Sequence, residues 1–410
     1  RKIKWSLLGL EPKTQDTANN VLVIAKSHKT TPQDSLQNTS PPKKGIVIKK
    51  YSGETIYQAQ VGDYILLSGT KKYLEKALKQ EKNQDLALVK LMGSNTFKGI
   101  SVYTKYNTFL DSEATLSAWN GLDLTLVSKG IQGSGIAMIQ DSLQLLSVFK
   151  GQQSHGFSMA SMIPNTALRG RAIGYSNAGL LHQNIKIYKK DSTQAVLPDV
   201  FETLKSIGQV VLNNGEITLM ESLDSQLSLE SLAKYISRGE TYRDVILYSC
   251  NTPSIVSQTF SPLLQGHQIN VLFSMNNYII GASNMEVAQQ YINAIETRST
   301  LSEASYFKNS TQQLPTTSSL LVFEQQFTAG FSRQVMGDKP TQQIENDFPI
   351  AIFQYKYDTS FAHINFISHK AGKEIKKAKG VTQLITLDVG KTMLGDPQFF
   401  TNHKTNEKEV

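Results

Sequence analysis

Ser68-Gly69-Thr70-Lys71 places a lysine three residues after a serine, the spacing with which serine acyl-transferases activate a nucleophile. The Ser-Asp-Asn and Lys-Thr-Gly elements that complete such a site do not follow, and a second copy of the stretch has Ala282 and Met285 in the corresponding places. A strand-to-helix turn capped by Ser68 or Thr70 is therefore the expectation. Gly390-Lys391-Thr392 resembles the end of a phosphate-binding loop, but Ile385 stands where the loop needs its first glycine. Gly130, Gly133 and Gly135 precede no helical pattern, so a hairpin turn over 129–135 is expected rather than a nucleotide cradle. The seven histidines (28, 155, 182, 267, 363, 369, 403) show no His-x-x-x-His spacing. Ser154-His155 lacks an identifiable aspartate to orient it. Asp63, Asp123, Asp141 and Asp358 fall at strand edges or turns, where aspartate bonds local backbone. Cys250 is the sole cysteine; it ends an apolar strand with no adjoining base, so a buried structural thiol is expected. No cofactor and no metal site is expected.

The elements that would position these residues repeat. Tyr64-Ile65-Leu66-Leu67 runs into a helix with Leu74, Ala77 and Leu78 at helical spacing. Tyr278-Ile279-Ile280 runs into one with Val287, Tyr291, Ile292 and Ile295. Strands are read at Trp5–Leu10, Asn20–Ala25, Ile46–Lys50, Thr55–Gln60, Ile100–Tyr106 and Leu122–Val127. Later strands are read at Ala167–Tyr175, Asp244–Tyr248, Gln268–Phe273, Leu320–Phe323, Ala351–Tyr357 and Ala362–Ile367. A helix is expected over Asp199–Ile207, and a hairpin over Gln209–Leu219 turning at Asn214-Gly215. Residues 29–45 form a polar, proline-bearing loop.

The fold expected is α+β, a tandem duplication of a mostly antiparallel β-sheet unit with packed helices. The first unit takes 1–148, the second 149–368, and 369–410 a basic connector leading into a further domain. Asn20–Ala25 is matched with Asp244–Tyr248. On that match the opening part of the first unit, on the order of 80 residues, lies upstream of Arg1.

Composition narrows the function. The content is 40% apolar and 19% charged, which suits packed cores with a polar, weakly charged surface, as in exported proteins. Net charge is +8 with basic residues scattered, so no nucleic-acid partner is expected. No apolar run of about 18 residues is long enough to span a membrane as a helix. Lys370, Lys373, Lys376, Lys377 and Lys379 form the one dense basic patch. It reads as a contact for anionic headgroups or, more plainly, as a solvated connector, with a strand at Val381–Val389 after it.

The repeated strand, turn and helix, the Leu122–Ile139 hairpin and the Leu394–Phe399 exit resemble a family of Bacteroidota cell-envelope proteins with a duplicated domain of unknown function. That domain usually leads into a β-propeller-like region. The resemblance implies export and a place in the periplasm or at the periplasmic face of the outer membrane. The function expected is a non-catalytic scaffold or accessory subunit of an envelope complex, with other envelope proteins as partners. The alternative is a periplasmic carbohydrate- or peptide-processing enzyme whose site is assembled from distant residues.

Overall fold

The structure is a computed structural model. It describes residues 6–11, 20–26, 46–51, 54–61, 64–79, 85–94, 100–104, 115–127, 130–140, 142–193, 196–326, 347–370, 400–401 and 408–409. Every strand pairing among them is antiparallel. Residues 1–371 form one compact unit and 372–410 another. The expected boundary at 148/149 lies inside the first.

Five strands begin that unit: β1 (Ser6–Glu11), β2 (Asn20–Lys26), β3 (Val47–Tyr51), β4 (Glu54–Val61) and β5 (Tyr64–Ser68). They lie in the spatial order β1-β2-β5-β4-β3. Helix α1 (Lys71–Leu78) follows, and its Leu74 joins Ala59 and Leu66 in a small core. Helix α2 (Leu86–Ser94) precedes the meander β6 (Ile100–Thr104), β7 (Trp119–Val127) and β8 (Gly130–Met138).

The remaining strands are β9 (Arg169–Gly174), β10 (Leu204–Leu212), β11 (Gly215–Ser222), β12 (Ile236–Tyr242), β13 (Val245–Cys250), β14 (Val271–Met275), β15 (Tyr278–Ala282), β16 (Leu320–Gln325), β17 (Ile350–Asp358) and β18 (Phe361–His369). With β6–β8 they make one 13-stranded sheet, β12-β13-β14-β15-β11-β10-β9-β16-β17-β18-β8-β7-β6. Helices α3 (Ala178–Lys189), α4 (Ser225–Ser231), α5 (Ile255–Phe260), α6 (Met285–Glu296) and α7 (Ser305–Thr311) are interspersed. In the second compact unit, β19 (Phe400–Thr401) pairs with β20 (Lys408–Glu409).

Strand alternation sends side chains to both faces, and each face has its own core. Ile173, Ile207, Met220 and Leu320 pack with Leu181 and Ile185 of α3 and Phe260 of α5. Ala172, Val210, Leu219 and Phe323 pack with Val287, Tyr291 and Ile292 of α6 and Phe307 of α7. Buried on both sides, strands such as β15 read as unbroken apolar runs.

Three local expectations are corrected. The helix expected over Asp199–Ile207 is a 3-10 turn, Asp199–Thr203, followed by β10. Val200, Leu204 and Ile207 imitate helical spacing, but pairing with β9 and β11 claims the backbone from Leu204 onward. The hairpin after it turns at Asn213 and Asn214 rather than at Asn214-Gly215, with Leu212 opposite Gly215. The expected glycine turn is also shorter, because Val127 pairs with Gly130 and the three glycines lie within β8. A Cβ on Gly135 would lie 1.8 Å from the Gly121 carbonyl oxygen, and one on Gly130 2.3 Å from that of Ser368. Close approach of β7 and β18 requires them, not a bend.

The strands at Asn20–Ala25 and Asp244–Tyr248, read as matching, pair differently. β2 pairs with β5 as β11 pairs with β15, Leu22 opposite Ser68 and Ile217 opposite Ala282. β3 pairs with β4 as β13 pairs with β14, Ile48 opposite Tyr57 and Ser249 opposite Val271. The β4–β5 and β14–β15 hairpins share one register 214 positions apart, Tyr57 opposite Ser68 and Val271 opposite Ala282. β6 on β7 likewise matches β16 on β17, Ile100 opposite Leu124 and Leu320 opposite Tyr355.

Candidate functional site

Arg169 and Arg171 point to the same face of β9 as Ile173, so the apolar row turns polar at this end of the sheet. Across the strands, Glu324 lies opposite Arg169, and Val211 joins Arg169 to Glu216. In the next row Val322 lies opposite Arg171, followed by Gln209 and Thr218. The loop after α5 closes over them with Gln265, Gly266 and His267, leaving a cavity of about 70 Å³. Arg171 Nη1 donates to the Leu263 carbonyl at 3.3 Å, and His267 Nε2 lies 3.6 Å from Glu216 Oε1. Gln209 is 2% exposed, and neither amide atom meets a hydrogen-bond partner among the described residues.

Two guanidiniums thus lie between two carboxylates, beside a buried amide. The cavity has room for no more than a few waters and is far below the several hundred Å³ of a drug-sized ligand site. The strands bearing Glu216 and Glu324 are three spacings apart, about 14 Å at ~4.8 Å each, with arginines between. That is a charge-balanced network, not the facing carboxylate pair of a glycoside hydrolase. The Arg-x-Arg alternation in Arg169-Gly170-Arg171 was the sequence signal for this network.

A second polar cluster lies on the opposite face. Glu221 accepts hydrogen bonds from Ser158 Oγ at 2.8 Å and Ser206 Oγ at 2.6 Å, and the Tyr278 hydroxyl meets Ser158 Oγ at 2.7 Å. Burial pushes the Tyr278 phenol up to about 12, the Ser158 bond opposing this and Glu221 adding to it. With Glu221 accepting from both serines and no histidine in the cluster, its geometry ties the segment before the 3-10 turn Met159–Met162 to the sheet.

A groove of about 430 Å³ runs along α3, lined by His182, Lys186, Lys190 and Asp191. Its charges serve their own loop. Lys186 Nζ donates to the Thr193 carbonyl, and the Thr193 backbone N–H lowers the Asp191 pKa. Burial, then Lys186, lowers that of His182.

The sequence candidates are scattered. Ser68 is buried at the end of β5 and accepts from the Thr70 N–H at 3.2 Å, while Lys71 is exposed and lies 3.6 Å from Glu75. Thr70 is the N-cap of α1 without a side-chain cap bond, whereas Asn284 caps α6 by accepting from the Val287 N–H at 2.9 Å. Ser154 Oγ meets Thr317 Oγ1 at 3.4 Å, and His155 forms a β-bridge with Ser318. Cys250 is buried, and burial pushes its thiol pKa up. Lys370 is exposed, 3.8 Å from Asp347 and 5.8 Å from the Phe348 ring centroid. Lys373, Lys376, Lys377, Lys379, the Gly390-Lys391-Thr392 fragment, the 29–45 loop, the Val381–Val389 strand and the Leu394–Phe399 exit lie outside the described residues. Among the described residues no group of three potential ligands could hold a metal, and no helix is long and apolar enough to cross a membrane.

No family model, no curated protein and no solved structure matches this chain. The resemblance to Bacteroidota envelope proteins gains no support from these comparisons.

The surface holds a feature that sequence reasoning missed. Leu86, Val89 and Met92 of α2 are 73%, 53% and 39% exposed, at a spacing of three that lines one side of the helix. The opposite side packs Leu91 on Gly121 of β7, and Asp85 accepts from Trp119 Nε1 at 2.8 Å. Ile100 of β6 is also exposed. The signal was legible in Leu86-Ala87-Leu88-Val89, a short apolar helix without a polar face.

Proposed function

We propose that the protein is a non-catalytic scaffold or accessory subunit of a cell-envelope complex, built by tandem duplication and acting through protein–protein contacts. The observation that carries the contact reading is the exposed apolar side of α2. Water contact with three large apolar side chains in line is unfavourable, and such patches mark association surfaces. Support for duplication comes from the cores. Ala59, Leu66 and Leu74 of the small core stand 214 positions before Phe273, Ile280 and Ala288, all buried in the larger one. The periplasmic location rests on the resemblance to the envelope family and on the polar, charge-poor composition.

The test uses the chain as bait on native membranes at physiological salt, followed by quantitative mass spectrometry. Wild type recovers stoichiometric envelope proteins, and the triple variant Leu86→Asp, Val89→Asp, Met92→Asp recovers at least about tenfold less, with unchanged thermal unfolding. A wild-type protein that comes down alone contradicts the reading.

A further inference from the structure

Gln209 sits on an inner strand of the larger sheet, opposite Arg171 of β9 and Thr218 of β11. It is buried, and both of its amide atoms lack a hydrogen-bond partner among the described residues. The other two buried glutamines among those residues bond to backbone. Gln144 Oε1 accepts from the Gln140 N–H at 3.0 Å, and Gln354 Nε2 donates to the Pro315 carbonyl at 2.8 Å. Burying an amide without a partner costs free energy that a leucine of similar size would not, so Gln209 contributes only through what it bonds.

The residue lines the cavity of about 70 Å³ beneath the 265–267 loop, with Val211 and Val322 beside it. The space of a few waters is that of a ligand of roughly four non-hydrogen atoms. The formal charges around it cancel, Arg169 and Arg171 against Glu216 and Glu324. No net charge therefore draws an ion in, and an ion would have to shed its water to enter. Gln209 offers an acceptor oxygen and two N–H donors. A primary amide returns both kinds in one plane: its oxygen accepts from Nε2 and its N–H donates to Oε1, whichever way the Gln209 amide is turned. A carboxylate only accepts, and leaves Oε1 unmatched.

We propose that this cavity is a binding site for a small uncharged carboxamide, of the size of acetamide or urea, held by a pair of hydrogen bonds to Gln209. The valines supply the apolar wall for its carbon side. The same group at the tip of a glutamine side chain from another polypeptide brings a stem and backbone that this volume does not hold, so the free molecule is the ligand. The site uses nothing of the α2 surface, and it stands or falls independently of the scaffold reading.

The probes are acetamide, sodium acetate and glycylglutamine at matched ionic strength, read by thermal unfolding of the full chain. A four-atom ligand is expected to bind with a Kd on the order of 1 mM, and acetamide at about 100 mM should raise the midpoint by about 3 °C. Acetate, its charged isostere, and glycylglutamine, which presents a glutamine side chain, should leave the midpoint unchanged. Gln209→Leu removes the polar group with little change in volume. It should unfold no lower than wild type without ligand, and acetamide should no longer move it. The probe series on wild type decides the ligand class even if that variant does not fold. No acetamide shift in wild type would mean that water alone serves the amide, and would overturn the inference. An equal shift with acetate or with the dipeptide, or an equal acetamide shift in Gln209→Leu, would overturn it as well.

Discussion

Gly135→Ala is expected to destabilise the 13-stranded sheet by about 3 kcal/mol or more, seen as a lowered denaturant midpoint. The added Cβ would sit 1.8 Å from the Gly121 carbonyl oxygen and 2.8 Å from its carbon, both backbone atoms that no rotamer change can move. β8 is bonded on both sides, to β7 and to β18, so displacing it disturbs two ladders together. Gly93→Ala is the control. Nothing lies within 4 Å of its Cβ, and alanine at this helical position is expected to be neutral or stabilising by up to about 1 kcal/mol. Equal effects of the two substitutions would show that β7 and β8 do not approach as described.

The second large effect is at Tyr291, 1% exposed between α6 and the sheet, its ring edge-on to Phe273 at 5.9 Å. Tyr291→Ala should cost about 3–5 kcal/mol, the loss of an aromatic ring plus the cavity it leaves. Tyr291→Phe should cost about 1–3 kcal/mol, because it leaves the Met162 carbonyl without its donor. The pair also has a pH signature. Burial, then Tyr278, holds the Tyr291 phenol well above its ordinary 10.0. The folded state keeps a proton that the unfolded chain releases. Its contribution is therefore complete below pH 10 and is lost as the pH rises above that value, Tyr278 following toward about 12. Tyr291→Phe should weaken the alkaline decline. A decline identical to wild type would place the phenol in solvent.

The strands were legible wherever one cause dominated. Tyr64–Ser68 and Tyr278–Ala282 are apolar runs stopped by small residues, and both fold as read, each leading into its helix. Asp199–Ile207 failed because its apolar spacing serves helix and strand alike, and only neighbours distant in sequence decide. The β8 glycines failed for a related reason: a glycine needed for strand approach looks in sequence like one needed for a turn. Strand order was the least legible. β2 and β13 are similar apolar segments, but β2 pairs with β5 and β13 with β14, a difference held in hydrogen-bond partners rather than residue types. For the site, Arg169 and Arg171 became a network only when β10, β11 and β16 brought Gln209, Glu216 and Glu324 beside them. The α2 stripe was overlooked because an exposed apolar helix face contradicts the rule by which helices are recognised.

Hydrogen exchange read by mass spectrometry at α2 and β16, for the chain alone and for the complex recovered from membranes, tests the contact reading most directly. β16 is held on both sides by β9 and β17, whereas α2 presents Leu86, Val89 and Met92 to solvent. Amides of α2 that exchange at least about tenfold more slowly in the complex, with β16 strongly protected in both states, are the predicted result. Exchange throughout α2 that is the same with and without the recovered proteins would contradict an association surface on this helix.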